Sequence, residues 1–136
     1  MPRLAAPGMR AQTGPMAFTM KRVYDDAAAG DGFRVLVDRL WPRGVSTERA
    51  ELDLWDKDVA PSPQLRTAWH HQLEDFDRFA DDYRSELDRN PAAEALVALG
   101  RKHDRVTLLY GARDEQTNHV TVLLDWLAAH GADVER

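Results

Sequence analysis

The chain has 136 residues, enough for one domain with a buried core, and its 43% hydrophobic and 30% charged residues are typical of a globular protein. It contains no cysteine, which excludes disulfide bonds, thiolate metal sites and a cysteine nucleophile. Its formal net charge of −5 disfavours non-specific binding to nucleic acids, and no apolar run approaches the roughly 20 residues of a membrane span. We therefore expect a cytoplasmic protein that makes no contact with a membrane.

The composition changes after residue 16. Residues 1–16 are rich in Ala, Pro, Gly and Arg and have no hydrophobic periodicity, which predicts a flexible N-terminal arm. Residues 17–136 contain alternating candidate strands and helices without an internal repeat. This part of the chain is predicted to form a single domain.

Four short apolar segments indicate strands. They cover residues 18–24, 33–37, 52–55 and 105–110. The second and fourth contain consecutive apolar residues, which is typical of strands covered on both faces of a parallel sheet. A turn at Asp31-Gly32 precedes the second strand, and a turn at Pro42-Arg43-Gly44 follows it.

Helices are predicted between and after these strands. A short turn is expected at residues 46–51, and Ser62-Pro63 indicates a helix start. Apolar residues then recur at helical spacing from Leu65 to Leu87, which fits one bent helix or two. Asn90-Pro91 starts another helix, and Asp114 is expected to cap a last one. The fold class is α/β: a layered domain with a small, mainly parallel β-sheet flanked by helices.

Ligands of open α/β sheets bind outside the carboxyl ends of the strands. Cationic, aromatic and amide side chains follow the second, third and fourth predicted strands, in a chain with excess acid. The sequence thus predicts a site for an anionic small molecule, phosphate-bearing or nucleotide-like. The predicted ligand-binding residues are Arg39, Trp41, Arg43, Lys57, Tyr110, Arg113 and Asn118.

Whether a reaction takes place at this site stays open. His119 is the best candidate for an acid or base and Asp58 is the second, but no nucleophile is evident. His70 and His71 are adjacent, so they cannot form a zinc-binding pair one helical turn apart. We expect no metal and no cofactor, and the sequence does not predict an oligomeric state.

Two other interpretations use the same residues. The basic cluster could belong to a non-catalytic module that binds a nucleic-acid end or a protein partner. Alternatively, the arginines could be structural and paired with Asp38, Asp56 and Asp58, in which case no ligand is involved.

Several linked motifs of the chain resemble the YeaO-like family of uncharacterised bacterial proteins, from about Lys21 to Leu127. The motifs are Lys21-Arg22-Val23-Tyr24-Asp25, Asp31-Gly32, the run from Val37 to Gly44, the run from Leu54 to Ser62, Leu65-Arg66, Phe79, Tyr83, Glu86-Leu87, Thr107-Leu108-Leu109-Tyr110 and Asn118-His119. The resemblance implies an α/β fold and a bacterial cytoplasmic protein, and it supplies no activity. More distant members carry Cys-His-Arg where this chain has Asn118-His119-Val120, so the resemblance does not imply thiol chemistry here.

Overall fold

The computed structural model of the protein describes residues 17–68 and 76–135. The predicted N-terminal arm, residues 1–16, lies outside the described residues. So do residues 69–75, which include His70 and His71 and the middle of the predicted helical region.

The described strands form one sheet of four parallel strands. They are β1 (Ala17–Arg22), β2 (Phe33–Leu36), β3 (Leu54–Trp55) and β4 (Arg105–Tyr110). Their order across the sheet is β1-β4-β2-β3, and every pairing is parallel. The predicted α/β class is therefore confirmed. Because β4 and β2 are the central neighbours, their carboxyl ends lie side by side.

The described residues contain five α-helices, four between strands and one after the last strand. They are α1 (Thr47–Ala50), α2 (Pro63–Ala68), α3 (Phe76–Asp88), α4 (Pro91–Gly100) and α5 (His119–Ala129). Polar side chains cap two of them as the sequence predicts: Ser62 accepts from the Leu65 amide of α2, and Asn90 accepts from the Ala92 amide of α4. Ser46 also caps α1. None of the helices within these ranges is long and apolar enough to cross a membrane.

The start of α5 differs from the sequence-based expectation. Asp114 was predicted to cap this helix, but the cap is Asn118, whose Oδ1 accepts from the amides of Val120 and Thr121 at 2.8 and 3.2 Å. Asp114 instead accepts from the amides of Gln116 and Thr117, two and three residues later. Because Asp114 closes this local turn and Asn118 caps α5, the prediction for Asp114 is wrong.

The core lies between the sheet and the helices. Leu108 of β4 and Val35 of β2 are fully buried, and they pack in one cluster with Leu87 of α3, Leu96 of α4 and Leu123 of α5. A second, smaller cluster contains Leu36 of β2, Leu109 of β4 and Val23, which follows β1. Trp41 and Trp55 pack against this cluster. Alternate residues of β2 and β4 thus contribute to different clusters, because successive side chains of a strand point to opposite faces.

The start of β2 is held by a glycine. Gly32 has a φ of +66°, and a Cβ there would lie 2.4 Å from the carbonyl oxygen of Arg105. No side chain fits at that distance. The turn predicted at Asp31-Gly32 therefore allows β2 to begin directly against β4.

Candidate functional site

A cavity of about 480 Å³ opens at the carboxyl ends of β2 and β4. Residues 38–40, which follow β2, form one side, and residues 111–114, which follow β4, form another. The N-terminus of α5 contributes residues 117–119. The volume lies within the range of about 300–1,000 Å³ that small-molecule sites occupy, and the position is the one that the strand ends predict.

His119, the first residue of α5, is held at the floor of this cavity by polar and aromatic contacts. Its Nε2 lies 3.0 Å from the carbonyl oxygen of Val37 and 3.3 Å from Oδ1 of Asp38. Since a carbonyl oxygen only accepts, Nε2 carries the proton. The ring also meets the buried ring of Tyr83 edge to face, with 6.2 Å between centroids. The imidazole therefore has one defined orientation.

Asp38 connects the ends of the two central strands. Its Oδ2 accepts a hydrogen bond from the Gly111 amide at 2.8 Å. Its Oδ1 is buried and has no hydrogen-bond partner among the described residues, although it lies close to His119. The carboxylate thus faces the imidazole, and a protonated His119 would form an ion pair with it.

The loop from β4 to α5 is fixed by its own polar groups. Asp114 is exposed, and the amides of Thr117 and Gln116 lower the pKa of its carboxyl. Asn118 is buried and donates from Nδ2 to the carbonyl oxygen of Asp114 at 2.7 Å, in addition to capping α5. Three of the four hydrogen-bonding positions of Asn118 are therefore occupied within the loop.

Three arginines from three different parts of the chain line the cavity. Arg39 follows β2, Arg66 belongs to α2, and Arg113 follows β4. Arg39 donates to the carbonyl oxygens of Pro61 and Ala60, both at 3.3 Å. Within residues 17–68 and 76–135, none of the three forms an ion pair with a carboxylate.

Arg34 shows what a structural arginine looks like in this protein. It is 4% exposed, forms an ion pair with Asp31, and donates to the carbonyl oxygens of Ala50 and Glu51. Arg113 and Arg66 are exposed and have no comparable partner in the described part of the chain. Arg66 and Arg113 therefore differ in kind from the arginine that holds the fold together.

Four of the nine residues predicted for the site line this cavity, namely Arg39, Arg113, Asn118 and His119. Trp41 lies elsewhere: its Nε1 donates to the carbonyl oxygen of Val45 at 2.7 Å, and its ring meets Trp55 edge to face. Tyr110 points into the core and is 2% exposed, so that burial first, and the Glu115 carboxylate second, raise the pKa of its hydroxyl. Neither aromatic ring is part of the cavity wall.

The three remaining predicted residues are also outside the cavity. Arg43 is exposed on the turn after β2. The Nζ of Lys57 lies 4.6 Å from the centroid of the Trp55 ring. Asp58 is exposed and follows Lys57 in a turn of 3₁₀ helix. β3 is an edge strand and lies on the far side of β2 from β4. The residues that directly follow β3 are therefore outside the cavity at the ends of β2 and β4.

Sequence reasoning missed the contributions of α2 and α3. Arg66 and Phe79 line the cavity from these helices. Helical periodicity indicates which side of a helix is exposed, but it does not indicate whether that side borders a cavity. The one available signal was the motif Leu65-Arg66, in which the leucine is buried and the arginine exposed. Among the described residues, no group of three or more His, Asp or Glu side chains is placed to bind a metal ion.

The fold and the site define an α/β domain whose cavity lies at the carboxyl ends of a parallel sheet and is lined by arginines and one histidine. A family model described as "Inactive DUF488-N3 subclade" matches residues 17–135. The protein YeaO of Escherichia coli K12 is 44% identical over 112 residues, which are 82% of this chain and 97% of YeaO. Mb3100c of Mycobacterium bovis and Rv3073c of Mycobacterium tuberculosis are each 44% identical over 107 residues, 78% of this chain and 89% of each relative.

The chain therefore belongs to the DUF488-N3 subclade and groups with the YeaO-like proteins, as its motifs predict. All three relatives are described as uncharacterized proteins. No solved structure matches the chain.

Proposed function

We propose that this protein binds a small anionic, phosphate-bearing ligand in the cavity at the ends of β2 and β4. The observation that carries the proposal is the convergence of Arg39, Arg66 and Arg113 on one cavity. Guanidinium groups hold phosphate oxygens through paired, charge-assisted hydrogen bonds, which makes arginine the preferred residue for this purpose.

The charges around the cavity support an anion rather than a cation. Two carboxylates, Asp38 and Asp114, share the wall with the three arginines, but each already accepts hydrogen bonds from backbone amides. Neither forms an ion pair with an arginine of the wall among the described residues, and three arginines against two carboxylates leave a net positive charge there. The N-terminus of α5 adds a partial positive charge on the same side.

We propose binding without turnover as the role of this site. The family model that matches the chain describes its subclade as inactive. In addition, Asp58, the second candidate for acid–base chemistry, is absent from the cavity wall. His119 then serves as a hydrogen-bonding group beside the ligand.

The test is titration calorimetry with inorganic phosphate and pyrophosphate at low ionic strength. Losing one arginine contact to a phosphate costs about 1.5–3 kcal/mol, so Arg113→Ala and Arg66→Ala are expected to weaken binding about 10- to 100-fold. Arg101→Ala is the matched control, because Arg101 is exposed at the end of α4, shortly before the opposite end of β4. It changes the net charge equally and should leave the affinity unchanged.

Arg43→Ala separates the sequence-based site from the structural one. Arg43 was predicted to bind the ligand, whereas the cavity wall does not include it. We expect Arg43→Ala to behave like Arg101→Ala. If all four variants lose affinity equally, the binding reflects total charge, and if neither anion binds the parent at millimolar concentration, the proposal fails.

A further inference from the structure

Part of the cavity wall is apolar. Its apolar members are Leu40, Ala60, Pro61, Phe79 and Ala112. Ala60, Pro61 and Phe79 are buried and form a preformed surface, while Leu40 stands at the rim beside Arg39. A single phosphate group would reach the arginines and leave this wall in contact with water.

Leu40 is the most exposed large apolar side chain in the described part of the chain, at 64%. The other exposed large apolar side chain of the described residues is Leu54, at 40%, which lies on β3 and does not line the cavity. An exposed leucine is ordinary by itself, but this one adjoins an apolar wall and a cationic cluster. A ligand that covers it removes apolar surface from water.

Two polar side chains of the wall are partly engaged within the protein. Asn118 uses Oδ1 to cap α5 and Nδ2 to hold the Asp114 carbonyl. Asp38 accepts from the Gly111 amide. The arginines remain for the anion, and the rest of the wall offers mainly apolar contact. This combination favours an apolar ligand body over a nucleobase.

We propose that the ligand is a phosphomonoester with an apolar, non-nucleotide body, its phosphate held by Arg66 and Arg113 and its body packed against Leu40, Pro61 and Phe79. The inference rests on the proposed function, because it assigns the anion to the same arginines. What is new is the chemical class of the uncharged part of the ligand.

The test compares three ligands with the same head group: inorganic phosphate, phenyl phosphate and adenosine monophosphate. At pH 8 each carries mostly two negative charges, since the second pKa is near 6 for a phosphomonoester and about one unit higher for inorganic phosphate. Titration calorimetry should give phenyl phosphate at least tenfold tighter binding than inorganic phosphate, because burial of the ring adds apolar contact. Adenosine monophosphate should bind no more tightly than phenyl phosphate.

Two matched variants locate the apolar contact. Leu40→Ser should reduce the advantage of phenyl phosphate over inorganic phosphate by at least threefold and leave inorganic phosphate binding unchanged. Leu54→Ser removes a similar exposed leucine outside the cavity and should change neither affinity. Arg113→Ala should weaken both ligands by the same factor.

The outcomes separate this inference from the proposed function. If inorganic phosphate binds in an Arg113-dependent way but phenyl phosphate binds no more tightly, the apolar body is wrong and the anion site stands. Tighter binding of adenosine monophosphate than of phenyl phosphate, or equal effects of Leu40→Ser and Leu54→Ser, would also overturn the inference. If no ligand binds the parent, both proposals fail together.

Discussion

Asp38 and Gly111 join the two central strands at the floor of the cavity. The carboxylate that follows β2 accepts a 2.8 Å hydrogen bond from the amide that follows β4. These residues are 73 positions apart in the chain, so the bond fixes the relative position of the two segments that form most of the charged wall. Its strength is that of a hydrogen bond to a charged group.

We expect Asp38→Ala to lower the free energy of unfolding by about 1.5–3 kcal/mol, because the Gly111 amide loses its acceptor in a half-buried position. Urea unfolding monitored by circular dichroism measures the change. Asp133→Ala is the control, since Asp133 is exposed and its side chain has no hydrogen bond or ion pair with the described residues. Equal stability of the Asp38 variant and the parent would show that the loop after β4 is held without this bond.

Two arginine variants should differ strongly in their effect on stability. Arg34→Ala leaves Asp31 and two carbonyl groups without their buried donor, and it should cost about 3–5 kcal/mol. Arg113→Ala removes an exposed side chain and should change stability by no more than about 0.5 kcal/mol. Denaturant midpoints of both variants are the measurement. A large loss in Arg113→Ala would favour the interpretation that the cavity arginines are structural.

Trp41 should contribute to stability and not to ligand binding. Trp41→Ala removes a half-buried ring and its hydrogen bond to Val45, and we expect a loss of about 2–3 kcal/mol, less than for a fully buried tryptophan. Trp41→Phe keeps an aromatic ring against Trp55 and should lose about 1 kcal/mol. Thermal denaturation measures both losses, and phosphate affinity should stay within twofold of the parent. A tenfold weaker affinity in the folded Trp41→Phe variant would show that Trp41 contributes to ligand binding.

Asp56 should make the protein less stable as the pH rises from about 4 to 6. Burial first, and the neighbouring Asp58 carboxylate second, raise the pKa of Asp56 from 3.8 to about 6. In this interval the unfolded chain has released the proton and the folded protein has kept it, so the free energy of unfolding falls with pH and then stays low. Because Asp56 is half-exposed and screened by solvent, we expect a change of about 1 kcal/mol.

The Asp56→Asn variant tests this assignment. It removes the titrating group, so the variant should be more stable than the parent at pH 7 and about equally stable at pH 4. Urea unfolding at the two pH values gives the difference. Asp53→Asn is unsuitable as a control, because the Asp53 carboxylate accepts from the Arg34 amide at 2.8 Å. Asp82→Asn, on the exposed face of α3, is the better one. If Asp56→Asn and Asp82→Asn have the same pH dependence, Asp56 does not titrate as described.

Local features of the fold could be predicted from the sequence. Consecutive apolar residues indicated β2 and β4, and Asn90-Pro91 indicated the start of α4, because apolar runs and helix caps act over a few residues. The start of α5 was misassigned, since Asp114 and Asn118 are both suitable caps by type. Their actual hydrogen bonds decide between them.

The charged part of the site was predicted where it directly follows a central strand. Arg39 follows β2 and Arg113 follows β4, and strand ends in a parallel sheet share one edge. Trp41 and Arg43 are only two and four residues beyond Arg39, but neither lines the cavity, and Trp41 instead packs against Trp55. In the segment after β2, sequence distance from the strand end is therefore a good guide for about three or four residues and a poor one beyond that.

The sequence by itself determined the α/β class, the strands and the presence of cations at their ends, because these depend on short-range patterns of burial and charge. The tertiary structure decided that β4 inserts between β1 and β2, that Asp38 reaches Gly111, and that Arg66 and Phe79 complete the cavity from α2 and α3. These relationships depend on which distant segments pack together. Packing of that kind is settled by the free energy of the whole core, and no local pattern of residues encodes it.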